Sequence, residues 1–265
     1  MTATAAPRIL LRFEAEAPEA RVAHVTIDNP ARLNTLTPEL LRDLVAVLRR
    51  LAGDGGLRAV VLGSIGDKAF IGGADLGALA ALDRMKAAGF ITLIHDACRA
   101  LRDLPVPVIA RMQGFVLGAG MELAASCDLR VAAETARFGM PEVKLGIPSV
   151  VEAALLPGLI GWGRTREMLL LGEIHSAAEL SQWGFLNRVV AEESLDDAVE
   201  TLLQALFTAG PNAVRQQKRL IAAWEDLSVS GAIAAGIAAF EAAFESDEPA
   251  RMMAEFQARR RNRRT

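Results

Sequence analysis

The chain has 265 residues, 52% of them hydrophobic and 23% charged, with a net charge of −3 and an isoelectric point near 5.8. That apolar mass supports a core well beyond a single small module, and the faintly acidic balance excludes a surface built to displace counterions from nucleic acid, so an anionic ligand must be met by a local site. Cys98 and Cys127 stand far apart with no CxxC and no Cys/His spacing, which excludes a disulfide framework and a zinc site and fits a reducing compartment.

The N-terminal stretch MTATAAPRILLRFEAEAPEAR lacks a long apolar run behind a basic start and acquires acids by Glu14, so it reads as neither signal nor transit peptide. No window of roughly 18 residues is apolar throughout. The expectation is a soluble, cytoplasmic protein with no membrane segment. Two β-type runs, Ile9 to Glu16 and Arg21 to Asp28, flank AlaProGlu turn chemistry and predict paired strands. Thr37 then offers an N-cap, Pro38 the first helical position and Glu39 a first-turn acid. Leu40, Leu41, Leu44, Val45, Leu48 and Leu51 follow at helical spacing, which predicts a helix with one buried face. Residues 57–63 read as a buried strand leading into the Gly-rich KAFIGGAD; residues 83–104 read as a helix up to the ProValPro stop, and 108–112 as a strand.

Beyond this point the pattern is a Gly loop, a helix (118–126), strands at 128–132 and 136–138, and helices broken at Pro141, Pro148 and Pro157. A last strand at 185–190 precedes an Ala-rich helical end from Ser194. Strands alternating with helices argue for an α/β core over residues 1–205, and the terminal run for a helical region, 206–265, packed on it or on a neighbouring subunit.

Several motifs fail. Gly118-Ala119-Gly120 is no dinucleotide fingerprint, because Leu123 stands where the third glycine would fall. There is no GxxxxGK[ST], HExxH or GxSxG. His24, His95 and His175 stand apart and read as structural imidazoles, so metal and serine-triad chemistry lose support. What remains is two Gly-rich turns, KAFIGGAD and FVLGAGME, each joining a strand to a helix start. Backbone N–H groups there have no intrahelical acceptor and suit an oxygen that gains negative charge. Two such donors from two loops form an oxyanion hole; the plain alternative is a pair of tight turns. Glu122 follows Ala119 by about one helical turn, and Glu142 follows Pro141 directly. Singly, these are a partly solvated helix acid and a first-turn dipole partner. Together they offer paired carboxylates, whose like charges split their proton affinities into one base and one acid.

At these residues the chain resembles the enoyl-CoA hydratase/isomerase (crotonase) family, over nearly its full length from about Ile9. The resemblance is carried by NPARLNTL (29–36), KAFIGGADL (68–76), RMQGFVLGAGMELAASCDLRVA (111–132), ARFGMPEVKLGIP (136–148) and WGFLNRVV (183–190), in this order and spacing. It implies a crotonase-like spiral of ββα units with a C-terminal helical region, assembled as a homo-trimer or a dimer of trimers. It implies an acyl-CoA thioester whose oxygen is received by the N–H groups of Ala74 and Ala119, Ala119 standing where the family usually has glycine. Gly118 belongs to the same loop. Arg32, Leu33, Asp75, Leu76 and Gly77 would lie along the CoA, which is part of the substrate; no separate cofactor and no metal are implied.

Both acids of the hydratase pattern match. The resemblance therefore implies syn addition of water to a 2-enoyl-CoA, with Glu122 deprotonating the water and Glu142 protonating Cα. Isomerase and hydrolase relatives commonly lack one acid and are the in-class alternatives. After LGIP the family often continues GAGGT, whereas this chain reads SVVEAALLP, with Glu152 in an apolar segment. That departure alters the acyl pocket and points to a hydratase specialised for an unusual acyl group, branched or sulfur-bearing. Met85, Met112 and Met140 are candidates to line it, with core packing as the plainer use.

The one basic cluster, ArgArgArgAsnArgArg at 259–264, reads as a solvated helix end complementing its own dipole. Some relatives bind RNA as well as acyl-CoA, so an RNA-binding relative is the non-enzymatic alternative. A third use for these arginines, or for Lys218, is to meet the phosphates of CoA.

Overall fold

The structure, a computed structural model, describes residues 6–17 and 20–262. Pro18 and Glu19 of the expected first turn, and Arg263 and Arg264 of the basic cluster, lie outside the described residues. Strands β1 (Arg8–Ala17) and β2 (Ala20–Asp28) pair antiparallel. Helix α1 (Pro38–Ala52) begins where its sequence signals place it. The Thr37 hydroxyl accepts from the Leu40 N–H at 3.2 Å, Pro38 opens the first turn, and all six apolar positions of the expected face are buried.

From there the chain winds in repeated units. β3 (Leu57–Ser64) and β4 (Ala69–Ile71) are followed by α2 (Leu76–Ala80) and α3 (Arg84–Arg102). β5 (Val108–Met112) and β6 (Phe115–Leu117) are followed by α4 (Ala119–Ala125). β7 (Leu129–Ala133) and β8 (Arg137–Gly139) lead into two 3-10 turns, 141–145 and 151–155, and then α5 (Leu156–Leu171). In each unit the first strand joins one sheet and the second another. The larger sheet runs β1-β2-β3-β5-β7-β10 and the smaller β4-β6-β8-β9, with β9 (Ile174–Ser176) and β10 (Arg188–Val190) closing the two. This is the expected ββα spiral. All pairings are parallel except β1 with β2 and β8 with β9.

The main core lies between the two sheets and α1, α3 and α4, with Phe70, Phe138 and Phe185 fully buried. Phe138 meets Phe185 edge-on, centroids 6.3 Å apart. A second core on the far face of the larger sheet packs Leu195, Ala198, Val199 and Leu203 of α7 (Leu195–Phe207) against Val22, Val61, Ile109 and Val131. Position 205 falls inside α7. α6 (Ala177–Gln182) starts with a capping box between Ser176 and Glu179.

Helices α8 (Pro211–Trp224), α9 (Val229–Ala243) and α10 (Glu248–Asn262) complete the chain. The Arg215 guanidinium ties α8 to the core through the Leu57 carbonyl at 2.7 Å. Glu248 accepts from the Asn212 and Ala213 N–H groups at 3.0 and 2.9 Å, capping α8 from the start of α10. Lys218 is buried, and its ammonium is spent on Asp128 Oδ2 (2.7 Å) and the carbonyls of Val106 (2.9 Å) and Leu101 (3.4 Å). It therefore has no donor for CoA phosphates, which corrects that expectation.

Three local differences from the sequence reading have physical causes. The break in α5 comes at Gly161, with φ 75, rather than at Pro157, which sits comfortably in the first turn. β9, three residues long, is too short to show a period. β10 begins at Arg188 rather than Phe185, because Phe185 is drawn into the core. Among the described residues, no single helix is long and apolar enough to cross a membrane.

Candidate active site

The short strands β4, β6 and β8 lie side by side and parallel, Ile71 beside Val116 and Leu117 beside Gly139. Their C-terminal ends therefore deliver three loops to one place: 72–75, 118–119 and 140–142. The first two touch. A side chain at Gly73 would meet the Leu117 carbonyl at 3.3 Å, and Gly73 (φ 107) and Gly118 (φ 51) both occupy the left-handed half of backbone space. Leu36 bridges Ala74 in parallel fashion, its N–H reaching the Gly73 carbonyl and its carbonyl accepting from Asp75. Such a bridge turns the Ala74 N–H away from Leu36. The Ala119 N–H heads α4, where no intrahelical acceptor exists. Among the described residues neither N–H has a hydrogen-bond acceptor. The 29–36 loop is stitched underneath: the Asn34 amide donates to the carbonyls of Ile65 and Ala69 at 2.9 and 2.8 Å, and the Gly72 N–H donates to Leu33.

Glu122, on α4, is 4% exposed. Burial, then the charges of Glu142 and Glu152, raise its pKa to about 8, opposed only by the nearby Ala153 N–H, which is itself bonded to the Val150 carbonyl at 2.9 Å. Glu142 opens the 141–145 turn behind Pro141, and its Oε2 accepts from the Ser149 hydroxyl at 2.7 Å. Its Oε1 lies so close over Gly118 that any side chain there collides with it. Ala74, Ala119, Glu122 and Glu142 all line one cavity of about 360 Å³, walled on its other side by Leu79, Phe90, Ile91 and Ile94 of α2 and α3. Two free donors, two acids and an apolar chamber suit a carbonyl compound that gains negative charge while protons move at the adjoining carbons.

The sequence profile of the enoyl-CoA hydratase/isomerase family matches residues 17–263. The chain belongs to that family. It is 32% identical to the short-chain-enoyl-CoA hydratase of Clostridium acetobutylicum, over 92% of this chain and 94% of that one. It is 34% identical to the crotonyl-CoA hydratase of Syntrophomonas wolfei, over 76% and 77%. A crystal structure of enoyl-CoA hydratase from Mycobacterium smegmatis superposes with a TM-score of 0.89 at 30% identity, covering 94% of this chain and 96% of that one.

For this member of the enoyl-CoA hydratase/isomerase family, the structure sorts the residues expected at the site. Leu33, Leu76 and Gly118 line the cavity with the four residues above; Arg32, Asp75 and Gly77 do not. Asp75 is occupied as the N-cap of α2, accepting from the Ala78 N–H at 2.9 Å, and its second oxygen pairs with Arg32 at 3.1 Å. Met112 and Met140 are fully buried in the core and Met85 is 88% exposed, so none of the three lines the cavity. Ser149, whose hydroxyl holds Glu142, carried no signal in the sequence: serine is a common residue type, and its partner lies on another element.

The acid-bearing helix is held from behind by Arg130. Buried, with burial lowering its pKa, it donates to the carbonyls of Ala124, Cys127 and Phe185. Replacing it by methionine removes three buried hydrogen bonds and is expected to lower stability by about 2–4 kcal/mol, measured as a reduced urea midpoint at unchanged slope. Gly118→Ala both enters a positive-φ position and pushes Glu142 aside. Hydration by that variant is expected to fall about 10²-fold, with far-ultraviolet circular dichroism retained.

Proposed function

We infer that this chain is an enoyl-CoA hydratase, adding water in the syn sense across the 2,3 double bond of a 2-enoyl-CoA to give the 3-hydroxyacyl-CoA. The observation that carries this reading is the convergence of Ala74, Ala119, Glu122 and Glu142 on one cavity. The thioester oxygen sits between the N–H groups of Ala74 and Ala119. As oxygen adds at Cβ, charge moves onto that oxygen, and each N–H is worth about 3–4 kcal/mol there. The thioester is its own electron sink, so the reaction calls on no metal or redox group.

The two acids share one proton. In the empty site it rests on Glu122, whose pKa is raised to about 8. When water fills the gap between the acids, that proton passes through it to Glu142. Glu122 then takes a proton from the water as its oxygen bonds to Cβ, and Glu142 gives its own to Cα. The pair ends as it began, with one water consumed and no net proton exchanged with solvent.

The exposed apolar face of α9 (Val229, Ile233, Ile237, Phe240 and Phe244) and exposed Trp162, Leu170 and Leu171 support a homo-trimer or a dimer of trimers, in which copies of the chain cover them. The cytoplasm is the proposed compartment. In the C-terminal cluster Arg259 pairs with Glu255 and Arg260 lies over Phe256, which supports a helix-end role over nucleic-acid binding.

Incubation with crotonyl-CoA and with a 3-enoyl-CoA tests the reading. The expected result is loss of conjugated absorbance with uptake of oxygen-18 from labelled water. Movement of the double bond without oxygen uptake would make the chain an isomerase, and release of free thiol a hydrolase.

A further inference from the structure

The 151–155 turn packs against α4, the helix that carries Glu122, and the charge of Glu152 in that turn acts on Glu122. Glu152 is 7% exposed in an apolar segment, where an ionised carboxylate is costly unless partnered. It has one partner. Its Oε1 lies 2.8 Å from Nδ1 of His95 on α3, a ring 44% exposed, while Oε2 is buried with no hydrogen-bond partner. Val151, immediately before it, holds φ 41, a left-handed conformation that β-branched residues rarely adopt. A strained residue next to a half-satisfied buried carboxylate is tolerated where the surrounding structure enforces it, and such features cluster at functional sites.

The groups around Glu122 come from three elements. The 141–145 turn brings Glu142, the 151–155 turn brings Glu152, and α3 brings Cys98 and, through Glu152, His95. The Cys98 thiol is itself pushed up by burial and by Glu152. Lys144, on the wall of the same cavity, is engaged by Glu173 at 2.8 Å. His95 is thus the one basic side chain bonded to this acid cluster among the described residues.

We propose that Glu152, oriented by His95, is a positioning residue for the hydration step: its buried charge keeps the shared proton on Glu122 until water bridges the two acids. The kinetic consequence rests on the hydratase reading above; the effect on the proton of Glu122 does not. A negative charge near Glu122 opposes loss of that proton. The active form carries it, so its loss sets the basic limb of kcat/KM. Neutralising Glu152 therefore moves that limb to lower pH. Removing the His95 donor does the same, because Glu152 then loses the one contact that fixes its carboxylate in place.

The test combines kcat/KM for crotonyl-CoA over about pH 6 to 10 with infrared titration of the Glu122 carboxyl in the free enzyme, its band identified by loss in Glu122→Gln. Glu152→Gln and His95→Leu are expected to lower both the basic limb and the Glu122 titration by about one pH unit. His95→Asn, which keeps an N–H near the position of Nδ1, is expected to restore most of that shift. A limb and a titration unmoved in folded Glu152→Gln or His95→Leu overturn the proposal. Should Glu152→Gln fail to fold, the half-exposed His95 decides through its Leu and Asn variants. If the chain hydrates no enoyl-CoA, the hydratase reading fails and the infrared titration still decides this one.

Discussion

Ala119→Pro is expected to lower kcat for hydration by about 10²–10³, more than it raises KM, while leaving the fold intact. Ala119 is the first residue of α4, the helical position that proline fits best, because the missing N–H has no intrahelical acceptor there. Proline usually restricts the residue before it through that residue's Cβ, and here the preceding residue is Gly118. In the proposed hydration the substitution therefore removes one donor from the thioester oxygen with little structural demand. That donor is worth most when the oxygen carries charge, so its loss falls on the transition state. Stopped assays at saturating crotonyl-CoA, with circular dichroism as the control for folding, measure it. Hydration near the wild-type rate would mean that the oxygen is bound elsewhere.

Much of the fold was legible because the relevant signals are local. Thr37, Pro38 and the six apolar positions of α1 specify start, phase and buried face within one stretch of chain. The glycines of IGGAD and LGAG mark strand ends where backbone must pass close to backbone, and the structure sets Gly73 against Leu117 and Gly118 under Glu142. What stayed illegible depends on partners distant in sequence or on the chain's path through space. The Glu152–His95 contact joins different elements, and Glu152 on its own looked only like an acid in the wrong place. Lys218 looked free because the carbonyls that engage it lie more than a hundred residues earlier in the chain. Gly161 breaks α5 where the prolines suggested the stop, since proline in a first turn is no breaker at all. The departure from the family pattern at SVVEAALLP was visible in the sequence, but its consequence, a second carboxylate acting on Glu122, needed the fold.

Glu122→Gln is expected to act in opposite directions on catalysis and stability. The amide neither takes the proton of water nor returns it, so kcat for hydration should fall by about 10²–10⁴. Its new N–H groups face the charges of Glu142 and Glu152 that the wild-type carboxylate must endure. The folded protein holds the Glu122 proton up to about pH 8, against an ordinary value of 4.5. Between those values the unfolded chain gives up the proton and the folded chain keeps it. The stability associated with this group is therefore complete below pH 4.5 and is lost as pH rises through about 8. The full difference amounts to roughly 5 kcal/mol as an upper figure. Glutamine carries no such dependence, so the variant's urea midpoint should exceed the wild type's at pH 9 and approach it near pH 5. A variant equally active, or one whose stability tracks the wild type's at every pH, would mean that Glu122 is not the buried acid that holds the proton of this site.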